Sequence, residues 1–85
     1  MTRQETADDY KRVLAASSLW RVIRCRDDRQ WIVQRRAAAR SRRWKAVAYI
    51  YARAALGHTL QRPSLGLPAD DRAALLGQLE KEAAA

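Results

Sequence analysis

WRVIRCRDDRQWIVQRR, residues 20–36, interleaves β-forming apolar side chains with six arginines. Trp20, Val22 and Ile23 form one apolar run, and Trp31, Ile32 and Val33 form another; both suit a pleated chain. Between them Asp27-Asp28-Arg29 is short and polar, which is hairpin-turn chemistry. The stretch therefore predicts two antiparallel strands, over 20–26 and 30–36.

Working outward, 37–42 is a basic loop without strong structure signals. RWKAVAYI, residues 43–50, is a third apolar run with aromatic and β-branched residues, and predicts a third strand. Residues 51–61 predict a helix, because Ala52, Leu56 and Leu60 recur at the i, i+4, i+8 spacing of one stripe. Pro63 and Gly66 break the chain into a linker over 62–68. Pro68, Asp70 and Asp71 then have the form of a helix start, and a helix is predicted over 69–82. Its apolar stripe, Leu75, Leu76 and Leu79, would pack internally or form a homodimer seam. Before the strands, Thr6 as a cap with Asp8 and Asp9 behind it predicts a helix over 6–16, with Tyr10, Val13 and Leu14 on one face. The expected fold is one α+β domain over 1–85: a three-stranded antiparallel sheet packed on a helix, with an N-terminal and a C-terminal helix.

Strand alternation assigns the faces of that sheet. Ile23, Cys25, Trp31, Val33, Val47 and Tyr49 fall on one side, which the 51–61 helix would cover. Arg24, Arg26, Ile32, Gln34, Arg36, Arg42, Trp44 and Ala46 fall on the other, which would meet water.

The charge is unevenly spread. Of 17 basic and 9 acidic residues, giving +8, residues 20–45 hold ten basic and two acidic. The flanks balance. Nine of those ten are arginine, the side chain suited to bidentate contact with phosphate or guanine. Like charges on one face repel, at a modest cost in salt water, and a polyanion would offset that cost.

Other functions find little support. One cysteine (Cys25) and one histidine (His58) cannot supply the roughly four ligands of a structural zinc site, so no metal or other cofactor is expected. Ser17 and Ser18 lack a neighbouring base, His58 stands alone on a helix, and no glycine-rich phosphate loop occurs; no enzymatic activity is expected. No apolar run approaches the roughly 20 residues of a membrane span, and the first ten residues lack the apolar core of a secretion signal. The cysteine usage fits a reducing cytoplasm.

The same hairpin resembles the first hairpin of the plant ethylene-response-factor (APETALA-type) DNA-binding domain, whose pattern runs Y-R-G-V-R-x-R-x-W-G-K-W-x-A-E-I-R. Arg21, Arg24, Arg26 and Arg36 fall on that pattern's arginines, Trp31 on its core tryptophan and Gln34 on an acidic base-contacting position. Arg42 and Trp44 resemble the R-x-W that opens the family's third strand. Val22 replaces its glycine and Asp28 its turn tryptophan. The resemblance covers about half the chain. It implies a three-stranded sheet laid in the major groove of duplex DNA with a helix behind it, as the similar arm-binding domains of tyrosine recombinases do. The hairpin is also similar to one in small proteins of bacterial mobile elements and phages.

The expected function is therefore nucleic-acid binding, with duplex DNA preferred. Arg24, Arg26, Arg36, Arg42 and Trp44 would make the central contacts, Arg21 and Gln34 would flank them, and Arg40 and Arg43 would hold phosphates. The alternative is an anti-defence factor of the anti-CRISPR kind, or an adaptor, using the same basic face on an acidic protein surface.

Overall fold

The computed structural model describes residues 5–38 and 40–84; the single-domain expectation for 1–4, 39 and 85 lies outside them. Four strands, β1 (Val13–Ala16), β2 (Trp20–Arg24), β3 (Trp31–Arg36) and β4 (Trp44–Ile50), are followed by a short helix α1 (Ala55–Leu60), a 3-10 turn at Pro63–Leu65 and a long helix α2 (Ala69–Ala84). The strands form one antiparallel meander in the order β1-β2-β3-β4.

This corrects the expected three-stranded sheet with an N-terminal helix. The 6–16 segment supplies a fourth strand instead, with Val13 opposite Ile23, Ala15 opposite Val22 and Ala16 opposite Arg21. Its helix-like spacing has another origin. The register slips between Val13 and Ala15. Tyr10 and Val13 pack with Ile23 and Ile32 on one side of the sheet, while Leu14 packs with Trp20 and Val22 on the other. A bulged strand thus mimics i, i+3, i+4 periodicity. The acids expected to start a helix are occupied elsewhere: Asp8 accepts a hydrogen bond from Trp44 Nε1 at 3.0 Å. Strand pairing overrode a weak local preference.

The β2–β3 hairpin closes where the sequence places it. Cys25 N–H donates to Gln30 O at 3.0 Å and Asp28 N–H to Cys25 O at 3.1 Å. Asp28 sits at φ 60°, a left-handed conformation that Asp tolerates better than most residues. The buried Cys25 sulfur accepts from the Arg29 and Gln30 amides at 3.1 and 3.3 Å, fixing the turn from inside.

The two faces of the sheet are both covered. Trp20, Val22, Val33 and Ile50 meet Leu56 and Leu60 of α1, Leu67, and Leu75 and Leu79 of α2. Leu56, Leu60 and Leu75 are fully buried, each contributing about 1.5–3 kcal/mol over an exposed position. Leu75 and Leu79 therefore belong to this chain's own core, not to a dimer seam. On the opposite face Ile23, Cys25 and Ile32 pack under Tyr10, and the segment from Glu5 to Tyr10 crosses that face as a strap. Two-sided burial explains why apolar residues stand side by side at Val22-Ile23 and Ile32-Val33, where a half-exposed strand would alternate.

The first helix after the sheet is shorter than the predicted 51–61. Residues 51–54 make bends and turns, with Ala55 N–H donating to Ala52 O and Leu56 N–H to Arg53 O. Gly66, at φ 76°, ends the 3-10 turn in a conformation that glycine adopts without penalty. The outer edge of β1 is closed by α2: the Gln78 carboxamide accepts from Ala16 N–H at 2.9 Å and donates to Ala16 O at 2.8 Å. No helix among the described residues is long and apolar enough to cross a membrane.

Candidate nucleic-acid interface

The strap turns the middle of the second face into polar interior. Arg21 is 2% exposed and Gln34 1%. Arg21 Nε donates to Gln34 Oε1 at 2.6 Å, and its Nη2 donates to Glu5 O and Ala7 O, both at 2.9 Å. Gln34 Nε2 donates to Glu5 O at 3.0 Å. Burial pushes the Arg21 pKa down to about 10, so the side chain stays charged at neutral pH. Among the described residues no buried side-chain polar atom lacks a partner.

Trp44 is interior as well, 5% exposed. The Arg21 and Arg36 guanidiniums lie 4.4 and 4.5 Å from its ring centroid, cation–π contacts of about 0.5–2 kcal/mol each. The Trp44 hydrogen bond, with the Arg36 and Arg21 charges beside it, holds the Asp8 carboxyl below its usual range. Arg36 Nη1 donates to Ser41 O at 2.6 Å and its Nε to Ser18 O at 3.1 Å, tying together two loops.

Arg24 lies on the other face. It stacks on Trp31, 4.0 Å from the ring centroid, at the rim of the helix-side core. Its Nη2 donates to Asp28 O at 2.5 Å, and both Arg24 and Arg12 pair with the Asp28 carboxylate. Those arginines, Arg12 first, lower the Asp28 pKa. Arg26 is exposed in the hairpin turn, where its N–H donates to Glu5 Oε2 at 2.8 Å.

The nine residues expected to share a nucleic-acid surface are thus divided. Arg21, Gln34 and Trp44 are interior. Arg24 and Arg26 lie at the β2–β3 end. Arg36, Arg40, Arg42 and Arg43 come together at the opposite end, around the β3–β4 loop. The expected faces hold for Trp31 and Val33 on the helix side and for Ile32, Gln34, Arg36, Trp44 and Ala46 opposite them, and fail in β2 and in the second half of β4. A register shift between Val33 and Gln34 leaves Val33 opposite Ala48 but Gln34 opposite Ala46, so Val47 is an extra residue and β4 changes parity there. Ala48 and Ile50 turn toward the helices, while Val47 (39%) and Tyr49 (56%) are exposed. In β2, Val22 rather than Ile23 faces the helices.

The β3–β4 end carries more than sequence reasoning assigned to it. Arg35 and Lys45 are exposed cross-strand neighbours, so Arg35, Arg36, Arg40, Arg42, Arg43 and Lys45 gather there. Arg35, Arg40, Arg42, Arg43 and Lys45 have no ion pair among the described residues. Asp8 and Asp9 line a shallow groove with Arg42 and Arg43, leaving six cations against two acids. One signal in the chain marks this end: no Asp or Glu occurs in residues 29–69, which hold nine basic side chains. The loop is shaped by its own hydrogen bonds, with Ala37 N–H donating to Arg43 O at 3.0 Å and Arg43 N–H to Ser41 Oγ at 3.0 Å.

No group of three or more His, Cys, Asp or Glu side chains among the described residues is placed to hold a metal. No family model, curated protein or solved structure matches the chain.

Proposed function

We propose that this chain is a small nucleic-acid-binding protein, with DNA preferred, that grips backbone phosphates with its β3–β4 end rather than with a sheet face. The observation that carries the reading is the exposed cluster Arg40, Arg42, Arg43 and Lys45, with Arg35 beside it, lacking acidic partners among the described residues. Folding gains nothing from such a cluster, whereas phosphates would neutralise it. Arginine's planar fork suits that ligand. The preference for DNA comes from the resemblance of the hairpin to a DNA-binding family. No bare sheet face is presented to a major groove, because helices and the strap occupy both faces.

Each neutralised phosphate adds roughly 0.7–0.9 to the salt slope of binding. Four or five contacts give a slope of about 3–4, and about a hundredfold loss of affinity between about 50 and 200 mM salt. Fluorescence anisotropy with a labelled DNA oligonucleotide at those two salt concentrations, and with RNA of the same sequence, tests this. Absence of binding near 50 mM, or an affinity indifferent to salt, would remove the reading.

A further inference from the structure

The large apolar side chains that stay exposed among the described residues are Val47, Tyr49 and Tyr51, at 39%, 56% and 76%. All lie along β4 or just past its end. They follow Arg42, Arg43 and Lys45 along the same outer strand, and because β4 changes parity at Val47, Lys45 and Tyr49 flank its free edge from opposite faces. β4 is an outer strand of the sheet. The strap reaches only its start, where Ala7 bridges Arg43 and Trp44 N–H donates to Thr6 O at 3.0 Å. Tyr49 and Tyr51 stand clear of it. From cation to aromatic, this stretch contains no acidic residue.

We propose that β4 forms a single-strand site in which Arg42, Arg43 and Lys45 hold phosphates and Tyr49 and Tyr51 each stack one unpaired base. The inference rests on the nucleic-acid reading above and names the form of nucleic acid. Charge selects a polyanion, and the aromatic rings select bases: a π-face accepts any base, whereas an aliphatic patch offers no such stacking. Stacking selects the single strand. In a duplex the faces of successive bases are already stacked on one another about 3.4 Å apart, so an exposed ring receives a base face only where the bases are drawn apart. Tyr49 lies near the end of β4 and Tyr51 in the bend just past it. A second copy of this chain pairing along the same edge is the rival occupant. It offers no polyanion to the cations that precede the tyrosines.

The test uses the full chain, a labelled oligothymidylate of about 15 nucleotides and a duplex of equal length, at about 50 mM salt. The proteins are wild type, Tyr49→Ala/Tyr51→Ala and Tyr49→Phe/Tyr51→Phe. Both tyrosines are exposed, so the variants are expected to unfold at the wild-type temperature, checked by circular dichroism. The expected result is tighter binding to oligothymidylate than to duplex. The alanine pair should lose about tenfold or more in affinity for oligothymidylate and less than about twofold for duplex, while the phenylalanine pair keeps both. Equal or better binding of duplex by wild type would overturn the single-strand site while leaving the parent reading intact. So would unchanged oligothymidylate binding by the alanine pair, or a wild-type dimer that this pair converts to monomer. Failure of both probes to bind wild type would instead remove the parent reading, and the site with it.

Discussion

The two ends of the sheet are built from the same arginine-rich block and use it differently. At the β2–β3 hairpin Lys11, Arg12, Arg24, Arg26 and Arg29 stand with Glu5, Asp27 and Asp28, five cations against three acids, though Arg26 and Arg29 make no ion pair among the described residues. Arg12 and Arg24 share the Asp28 carboxylate, and Arg24 also covers Trp31. At the β3–β4 end six cations have only Asp8 and Asp9 beside them among the described residues, and Asp8 is engaged by Trp44 and Arg36. An arginine among carboxylates, carbonyls and indoles is part of the fold. An arginine without them is available to an outside anion. Composition alone does not separate the two; the partners that the backbone brings near do.

Between the ends lies Arg21, where the contrast is most easily broken. Replacing it with alanine leaves Gln34 Oε1 and the Glu5 and Ala7 carbonyls short of their buried donor. Arg21→Ala is expected to cost about 3 kcal/mol or more in urea unfolding, and Arg21→Lys about 2 kcal/mol, because an ammonium cannot reproduce the fork. A loss below about 0.5 kcal/mol would mean that the strap is not held by this side chain.

Trp44→Phe keeps an aromatic ring under Arg21 and Arg36 but deletes the donor to Asp8. About 1–2 kcal/mol should be lost, read in the same unfolding experiment, with nucleic-acid affinity at low salt nearly unchanged. A large drop in affinity at preserved stability would instead make Trp44 part of the binding surface.

The smallest effect is the response to acid. Asp8 and Asp28 have folded-state pKa values below the ordinary 3.8. The unfolded chain therefore binds their protons first as the pH falls. The stability these groups contribute is complete above about pH 4 and fades as the pH drops through their lowered folded values. Thermal unfolding followed from pH 5 to pH 2 should show a decline that Asp8→Asn and Asp28→Asn each flatten in part. An acid limb identical in both variants would show that the pairs contribute nothing measurable.

Much of the chain path could be read from local chemistry, because local chemistry decides it. The Asp27-Asp28 turn needs only a polar, αL-tolerant residue between two apolar runs. The last helix needs only Pro68, Asp70, Asp71 and the leucine stripe behind them. The faces were harder. A single extra residue at Val47 reverses the parity of β4, and another slip near Leu14 disguises β1 as a helix. Neither bulge has a glycine to announce it. Apolar neighbours such as Val22-Ile23 signal two buried faces, a meaning lost once one face is assumed to meet water. The site followed the same division. Arg40, Arg42 and Arg43 lie in or beside a loop, and exposure could be expected of them. The fate of Arg21 depends on carbonyls contributed by Glu5 and Ala7, a distant part of the chain whose course no local pattern specifies.

The most direct measurement of the difference between the ends is the salt slope of DNA binding in two variants. Arg40→Ala/Arg42→Ala/Arg43→Ala removes cations from the β3–β4 end, and Arg26→Ala/Arg29→Ala removes them from the hairpin. The first should unfold like wild type within about 0.5 kcal/mol and lower the slope by about 2–3. The second should leave the slope nearly where it was. A slope unchanged by the loop substitutions, or lowered more by those in the hairpin, would contradict the assignment of the β3–β4 end as the phosphate-binding surface.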